Sequence, residues 1–146
     1  MWSSIIAVAG TLLGGTLAGL LQVRMERAAR ADRRAEALRV ALGELVAALG
    51  DHRRAMWHRE ELRLKGLSQE AVDKARAASH ATRSAVTAPL VAVSVLEPSL
   101  AEPARQAMLA AFALRDAPDH ENLASQREAA ISATDALVAA AGRAMA

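Results

Sequence analysis

The 146-residue chain has no cysteine and no tyrosine, and its single phenylalanine and two tryptophans bring the aromatic share to only 2%. The absence of cysteine excludes a disulfide scaffold, a thiolate metal site and a thiol nucleophile. Proline and glycine are also scarce, at 4 and 8 residues, so an all-β fold with many turns is not expected. A core with so few aromatics encloses poorly the kind of pocket that small-molecule enzymes use, and we therefore expect no enzyme.

Alanine supplies much of the apolar content, which is 53% of the chain. Because alanine is the best helix former and β-branched residues are few, the composition predicts an all-α fold. The net charge of +2 is unevenly distributed. Residues 24–83 contain 14 basic and 9 acidic side chains, whereas residues 84–146 contain 4 basic and 7 acidic ones. The positive surplus therefore lies next to the N-terminal apolar segment.

Residues 2–23 contain no ionisable side chain. A helix of that length spans about 33 Å, which is enough to cross a hydrocarbon core of about 30 Å. Trp2 lies at one end, where an indole ring favours the membrane–water interface. A cleaved signal peptide is the alternative, but nothing basic precedes the segment and its end is a poor cleavage site. We therefore expect residues 1–23 to form a single-pass transmembrane anchor.

Five arginines follow the apolar segment directly: Arg24, Arg27, Arg30, Arg33 and Arg34. By the positive-inside rule they predict an N-terminus outside the cell membrane and a cytoplasmic C-terminal domain. Their simplest role is to determine this topology, and beside an anionic lipid bilayer they are also expected to attract headgroups. Nucleic-acid binding would use the same charge, but aromatic residues for base stacking are missing, so we do not expect it.

Small residues recur at four-residue spacing inside the apolar segment. Gly10 and Gly14 form one such pair, and Gly15 and Gly19 form another. This spacing lets two helix backbones approach closely in lipid, although glycine is also common in membrane helices generally. We expect the four glycines to support a homo-oligomer.

Good helix formers and no proline occur from Arg24 to about Lys65, which predicts that the transmembrane helix continues as a basic juxtamembrane stalk helix over 24–65. Apolar positions along it alternate steps of four and three, as at heptad a and d positions of a coiled coil. This stalk seam consists of Leu38, Leu42, Leu45, Leu49, His52 and Met56. We expect the seam to contribute to self-association, and residues 66–146 to form a small antiparallel cytoplasmic helical bundle packed on the distal stalk.

Local signals predict where the first two helices meet. Gly66 is expected to end the stalk helix, because glycine readily takes the left-handed conformation after a last turn. Ser68 is expected to cap the second helix. Pro89 lies inside that second helix and predicts a kink or a short break near Thr87.

Similar signals define the C-terminal half. Ser99 and Glu102 have the spacing of a capping box, which predicts the start of a third helix. A turn at 116–118 precedes a fourth helix from about Asp119 to Ala141. The residues expected to be buried on the fourth helix are Leu123, Ile131, Leu137 and Val138.

The densest polar cluster is the segment 51–61, with the sequence DHRRAMWHREE. A carboxylate-bridged metal site in a helical bundle needs Glu-x-x-His pairs, which the sequence lacks, so we expect no metal and no cofactor. We predict that His52 is a polar seam residue, that Trp57 is a packing anchor, and that His58 and Arg59 face solvent. A seam histidine would weaken assembly on protonation, which gives the hypothesis of a pH-dependent oligomer.

Four features together resemble the small KilB-like proteins of actinobacterial conjugative plasmids and chromosomes. They are the opening WSSIIAVAGTLLGGTLAGLL, the arginine-rich stretch after it, the segment DHRRAMWHRE and the alanine-rich C-terminal helices. The resemblance covers most of the chain and implies an accessory role in plasmid maintenance or in spread between mycelial compartments. It also implies that uncontrolled expression harms the host, and it carries no catalytic motif.

We therefore expect a membrane-anchored, self-associating structural or accessory protein that takes part in plasmid conjugation or spread. Its cytoplasmic bundle would bind a protein partner that the sequence does not identify. A holin-like, membrane-perturbing protein that is toxic when overexpressed is the alternative, and a soluble helical DNA-binding regulator is the third.

Replacing Gly15 or Gly19 by leucine tests the predicted packing within the apolar segment. A bulky side chain at either position would keep two helices apart, so Gly15→Leu and Gly19→Leu should each weaken self-association. A membrane two-hybrid assay measures the effect. An unchanged signal from both variants would remove the argument from glycine spacing.

Overall fold

The computed structural model describes the backbone of residues 2–145 and the side chains of residues 22–145. Its helices are α1 (Trp2–Leu64), α2 (Gln69–Leu96), a short 3₁₀ helix (Pro98–Leu100), α3 (Ala101–Phe112) and α4 (His120–Ala144). No strand occurs between residues 2 and 145, which confirms the all-α prediction. The internal contacts divide the chain into two units, residues 1–36 and residues 37–146.

The predicted membrane anchor falls almost entirely outside the residues with described side chains. This applies to residues 1–21, and hence to Gly10, Gly14, Gly15 and Gly19. Among residues 22–145, no helix contains a stretch that is both long and apolar enough to cross a membrane.

The junction between α1 and α2 follows from its local sequence. Gly66 has a φ of +67°, a conformation that glycine adopts without the steric cost of a Cβ atom. The amide of Leu67 donates to the carbonyl of Leu62 at 3.2 Å, and that of Gly66 donates to Arg63 at 3.1 Å, a pairing typical of glycine-terminated helices. Ser68 then caps α2 by accepting a hydrogen bond from the amide of Ala71. Both predictions are confirmed.

The predicted break near Thr87 is wrong, because α2 runs without interruption from Gln69 to Leu96. Pro89 removes one hydrogen-bond donor, a loss that costs roughly 3 kcal/mol inside a helix. The ring of Pro89 is nevertheless buried between Val86 and Val93, which are themselves buried on the same helix. Burial of this apolar face stabilises the helix on both sides of the proline, so the backbone stays helical.

The predicted capping box at Ser99 is also wrong. Glu97 is the residue that caps here, since its carboxylate accepts from the amide of Ser99 at 3.3 Å and from its hydroxyl at 2.6 Å. The 3₁₀ helix that follows shifts the start of α3 to Ala101. Glu102 thus lies in the first turn of α3, where Arg105 and Gln106 donate to it. These hydrogen bonds, first from Arg105 and then from Gln106, lower the pKa of Glu102 to about 2.

The fourth helix begins as predicted, because the carboxylate of Asp119 accepts from the amide of Asn122 at 2.7 Å. Leu123 and Leu137 are buried as expected, whereas Ile131 is half-buried and Val138 is 51% exposed. The burial of Val138 was predicted wrongly. Successive helical residues point about 100° apart, so the side chain after inward-facing Leu137 turns away from the core.

The main core joins all four helices within the unit 37–146. Its buried residues are Leu38, Ala41, Leu42, Leu45, Ala48 and Leu49 of α1, Val86 and Val93 of α2, Leu100, Ala104, Ala107 and Ala111 at and within α3, and Leu137 and Ala141 of α4. Eight of these fourteen residues are alanines or valines, so the helices can pack only at close approach. The core is therefore built from leucines of α1 set against small side chains of the other helices.

A second, smaller core shows how α1 and α4 are oriented relative to each other. It contains Met56 of α1 together with Leu114, Ala117, Leu123 and Ala130. The end of α1 thus packs against the start of α4, whereas residues 38–49 of α1 pack against Leu137 and Ala141 near the end of α4. This order makes α1 and α4 antiparallel.

Truncating the largest central side chain tests the main core. Leu45 has no exposed surface, so Leu45→Ala should lower the free energy of unfolding by about 2–5 kcal/mol through lost burial and a residual cavity. Val40 lies on the same helix and is 52% exposed, and Val40→Ala is the matched control, with an expected change within about 0.5 kcal/mol. Urea denaturation followed by circular dichroism measures both. Equal losses in the two variants would contradict the assignment of the core to this face of α1.

Candidate functional site

The basic segment after the apolar stretch is exposed throughout. Arg24, Arg27, Arg30, Arg33 and Arg34 are all exposed. Arg30 lies 3.7 Å from the carboxylate of Glu26, while Arg33 donates to the carbonyl oxygen of Ala29 at 3.1 Å. Both of these contacts are made within the helix and leave the segment's surface positively charged.

The six seam residues of α1 are buried within a single chain. Leu38, Leu42, Leu45, Leu49, His52 and Met56 are each no more than 8% exposed. The helices α2, α3 and α4 occupy the space that the seam faces. In this conformation the seam is not exposed to a second copy, so the expected contribution of the seam to self-association finds no free surface.

The residues of the polar cluster 51–61 lie on different faces of α1, so some are exposed and others are buried. Asp51 and His58 are exposed, and Trp57 is half-buried against the smaller core. Arg59 is only 7% exposed, so the prediction that it faces solvent is wrong. The seam continues past Met56 by steps of three and four, which place Arg59 and then Glu60 on the inward face. Extending the heptad spacing by one step of three would have found Arg59, whereas Glu60 lies beside that position and outside the heptad series.

Glu60 has no exposed surface, and its partner Arg63 contacts the turn before α4. Arg63 donates from Nε to the Oε2 atom of Glu60 at 2.6 Å, and its Nη2 donates to the carbonyl oxygen of Ala117. The other carboxylate oxygen of Glu60 accepts no hydrogen bond from the described residues. Because Glu60 and Arg63 lie three residues apart on α1, their ion pair positions the guanidinium of Arg63, and the hydrogen bond from Arg63 to Ala117 then connects α1 to the turn before α4.

A pocket of about 270 Å³ opens between α1, α2 and the end of α3. It is lined by His52, Met56 and Arg59 of α1, by Arg76, Ser79, His80 and Arg83 of α2, and by Phe112 and Arg115. The α2 residues recur at steps of three, one and three, which places them on one side of a helix. Apolar periodicity in the sequence does not reveal this row, because all four of its members are polar.

The imidazole of His52 organises one wall of this pocket. Thr82 donates its hydroxyl to the carbonyl of Ser79 at 3.0 Å, and its oxygen lies 3.0 Å from Nδ1 of His52. The imidazole tautomer decides which of Nδ1 and the Thr82 hydroxyl donates in this contact. The ring of Phe112 meets the imidazole edge to face, with centroids 4.8 Å apart. The guanidinium of Arg83 lies 4.4 Å from the centroid of Phe112, a favourable cation–π distance.

The same surroundings set the protonation state of His52. Burial, and to a smaller extent the nearby positive charge of Arg83, lower the pKa of His52 to about 4, against a smaller opposing effect of the Ser79 backbone. The imidazole is therefore neutral near pH 7. The positive charge of the pocket comes from the arginines, and His52 serves to hold Thr82 and Phe112 in position.

A second arginine-rich pocket lies on another side of α1. It has a volume of about 480 Å³ and is lined by Arg53, Arg54, Trp57 and Arg127. Arg127 of α4 lies over the indole of Trp57, at 5.2 Å from the centroid. Within residues 22–145, no three histidine, aspartate or glutamate side chains come together in a group that could hold a metal ion.

Two comparisons with known proteins find relatives of this chain. The model of the family described as "KilB plasmid transfer protein" matches residues 38–145. The chain is also 56% identical over 143 residues to Protein KilB of Streptomyces lividans, an alignment that covers 98% of this chain and 97% of the relative. No solved structure matches the chain.

The buried imidazole predicts a pH-dependent stability. In the unfolded chain His52 titrates near its ordinary value of 6.5, whereas in the folded chain its pKa is about 4. Between these values the unfolded state binds the proton more strongly. The free energy of unfolding should therefore fall as the pH is lowered, by up to about 1.4 kcal/mol per pH unit.

His52→Gln should flatten this dependence between about pH 7 and about pH 5, because glutamine does not titrate. His58→Gln is the matched control, since His58 is exposed on the same helix, and it should keep the slope of the unmodified chain. Urea denaturation at several pH values measures all three proteins. A slope that His52→Gln leaves unchanged would contradict the effect assigned to burial.

Proposed function

The chain belongs to the KilB family of plasmid transfer proteins, and from this premise we propose that it is a membrane-anchored, self-associating accessory protein of conjugative plasmid transfer or spread. The observation that carries the proposal is the family match over residues 38–145. That range coincides almost completely with the compact unit 37–146. The helical bundle is thus the part that the family shares, and we propose that it contacts the other components of transfer.

The proposed anchor is supported by the sequence of the N-terminal segment. Residues 2–23 lack any ionisable side chain and are followed by five arginines within eleven positions, the pattern of a span with a cytoplasmic flank. The alignment with the Streptomyces lividans protein covers 98% of the chain, so it includes most of this N-terminal segment. We propose insertion with the N-terminus outside and the bundle in the cytoplasm, where the exposed arginines meet anionic headgroups.

Self-association is proposed to depend on the N-terminal segment and not on the stalk seam. The seam side chains from Leu38 to Met56 are already buried within one chain. A second copy would have to displace α2 and α4 to reach them, at the cost of the main core. The glycine pairs at 10–14 and 15–19 are the remaining sequence feature that favours close helix contact.

Removing the apolar segment tests the proposal. The full chain should sediment with membranes and should restore transfer or spread to a conjugative plasmid whose own KilB relative has been deleted. A chain beginning at Arg24 keeps the unit 37–146 but loses the span, so it should stay in the supernatant after ultracentrifugation and should fail to restore spread.

Each result bears on a separate part of the proposal. Recovery of the full chain in the supernatant would refute the anchor. Restoration of spread by the truncated chain would show that anchoring is dispensable. Failure of the full chain to restore spread, at an abundance equal to that of the deleted relative, would refute the role in transfer.

A further inference from the structure

The arginine-lined pocket between α1, α2 and the end of α3 plays no part in the function proposed above. Its wall includes Arg59, Arg76, Arg83 and Arg115, and none of its lining residues is an aspartate or a glutamate. Guanidinium groups match the geometry of phosphate oxygens and bind them through pairs of charge-assisted hydrogen bonds. The composition of the wall therefore favours an anion.

The carboxylates around the pocket do not neutralise its arginines. Glu60 lies beside Arg59 and Arg63, Asp73 lies 4.0 Å from Arg76, and Asp116 lies 3.1 Å from Arg115. Arg83 lies over the ring of Phe112 and has no carboxylate partner among residues 22–145. The guanidinium groups in and beside the pocket therefore outnumber the carboxylates by two. The guanidinium groups are those of Arg59, Arg63, Arg76, Arg83 and Arg115, and the carboxylates are those of Glu60, Asp73 and Asp116. A dianion would balance this surplus.

The burial of Arg59 is a second, independent observation that favours an anion in the pocket. Its side chain is 9% exposed, and its Nε atom lies 3.4 Å from Oε1 of Glu60. That oxygen accepts no hydrogen bond, and the hydrogen bonds of Glu60 come instead from Arg63. The buried guanidinium of Arg59 therefore lines the pocket without a hydrogen-bond acceptor among the described residues. The nitrogen atoms of Arg59 are not among the buried atoms without a partner, so they are accessible from the pocket and available to an acceptor there.

Phe112 restricts which part of a ligand can enter. Its ring is in contact with the guanidinium of Arg83 over one face and with the imidazole of His52. These contacts fix the position of Arg83 before any ligand binds, and they occupy the ring on which a nucleobase would otherwise stack. The volume of about 270 Å³ is also small beside the roughly 300–1,000 Å³ of pockets that enclose drug-sized ligands.

We propose that this pocket binds the phosphate group of a phosphomonoester, with Arg59, Arg76 and Arg83 donating hydrogen bonds to the phosphate oxygens. A phosphomonoester carries close to two negative charges at neutral pH. The phosphate group belongs either to a free metabolite or to the headgroup of a lipid such as phosphatidic acid, and the chemistry of recognition is the same in both.

Calorimetric titration of the full-length protein in a nonionic detergent tests the proposal. The probes are glycerol 3-phosphate and a short-chain phosphatidic acid, with glycerol as the uncharged reference. Arg76→Gln and Arg83→Gln each remove one donor, and each should weaken binding about tenfold to about a hundredfold, as expected for a charged hydrogen bond.

Arg105→Gln is the matched control, because it removes the same charge from α3 outside the pocket. It should bind as the unmodified protein does. Arg76 is an exposed residue of α2, so Arg76→Gln carries the test if Arg83→Gln disturbs the packing of Phe112. Circular dichroism confirms that each variant is folded before titration.

The outcomes separate cleanly. Binding of glycerol 3-phosphate that the pocket variants weaken supports a free metabolite as the source, and binding of phosphatidic acid alone with the same losses supports a lipid headgroup. The proposal is overturned if neither probe binds at millimolar concentration. It is equally overturned if Arg105→Gln weakens binding as much as the pocket variants do, because the effect would then reflect net charge alone.

Discussion

The fold depends on one strip of leucines along α1. Leu38, Leu42, Leu45 and Leu49 are four of the six leucines of the main core, while the facing helices contribute mainly alanine and valine. Small residues in the partner helices leave no alternative to close approach, because wider spacing would open voids that cost both burial and dispersion contacts. This constraint fixes where α2, α3 and α4 lie, and so it fixes which polar side chains meet beyond the end of the strip.

The polar region is the continuation of that same strip. Past Met56 the inward positions of α1 change from apolar to charged, so that Arg59 and Glu60 are carried into the interior by the periodicity of the helix. The ion pair of Glu60 with Arg63 and the contact of Arg63 with Ala117 then compensate one part of this buried charge. Arg59 remains without an acceptor, and it lies in the wall of the arginine-lined pocket. The arginine-lined pocket thus forms where the inward face of α1 changes from leucine to arginine.

Features set by a few adjacent residues could be predicted from the sequence. The stop at Gly66 and the caps at Ser68 and Asp119 depend on side chains within three positions of the helix ends, and the six seam positions follow from a regular spacing. Features that depend on packing between helices could not be predicted from the sequence. The continuity of α2 through Pro89 depends on burial against other helices, and the start of α3 depends on a 3₁₀ turn that Glu97 caps. The pocket forms where three helices and Phe112 meet. In the sequence it is indicated only weakly, by the spacing of polar residues on α2.

The antiparallel pairing of the first and last helices has a consequence for biosynthesis. Leu137 and Ala141 cover the leucines at residues 38–49, so almost a hundred residues must be translated after those leucines before their final neighbours exist. At roughly 5–20 residues per second, the nascent chain carries an uncovered leucine face for several seconds or more. Completion of the core therefore waits for the synthesis of α4, and during that interval the leucine face can pack only against the helices that have already been made.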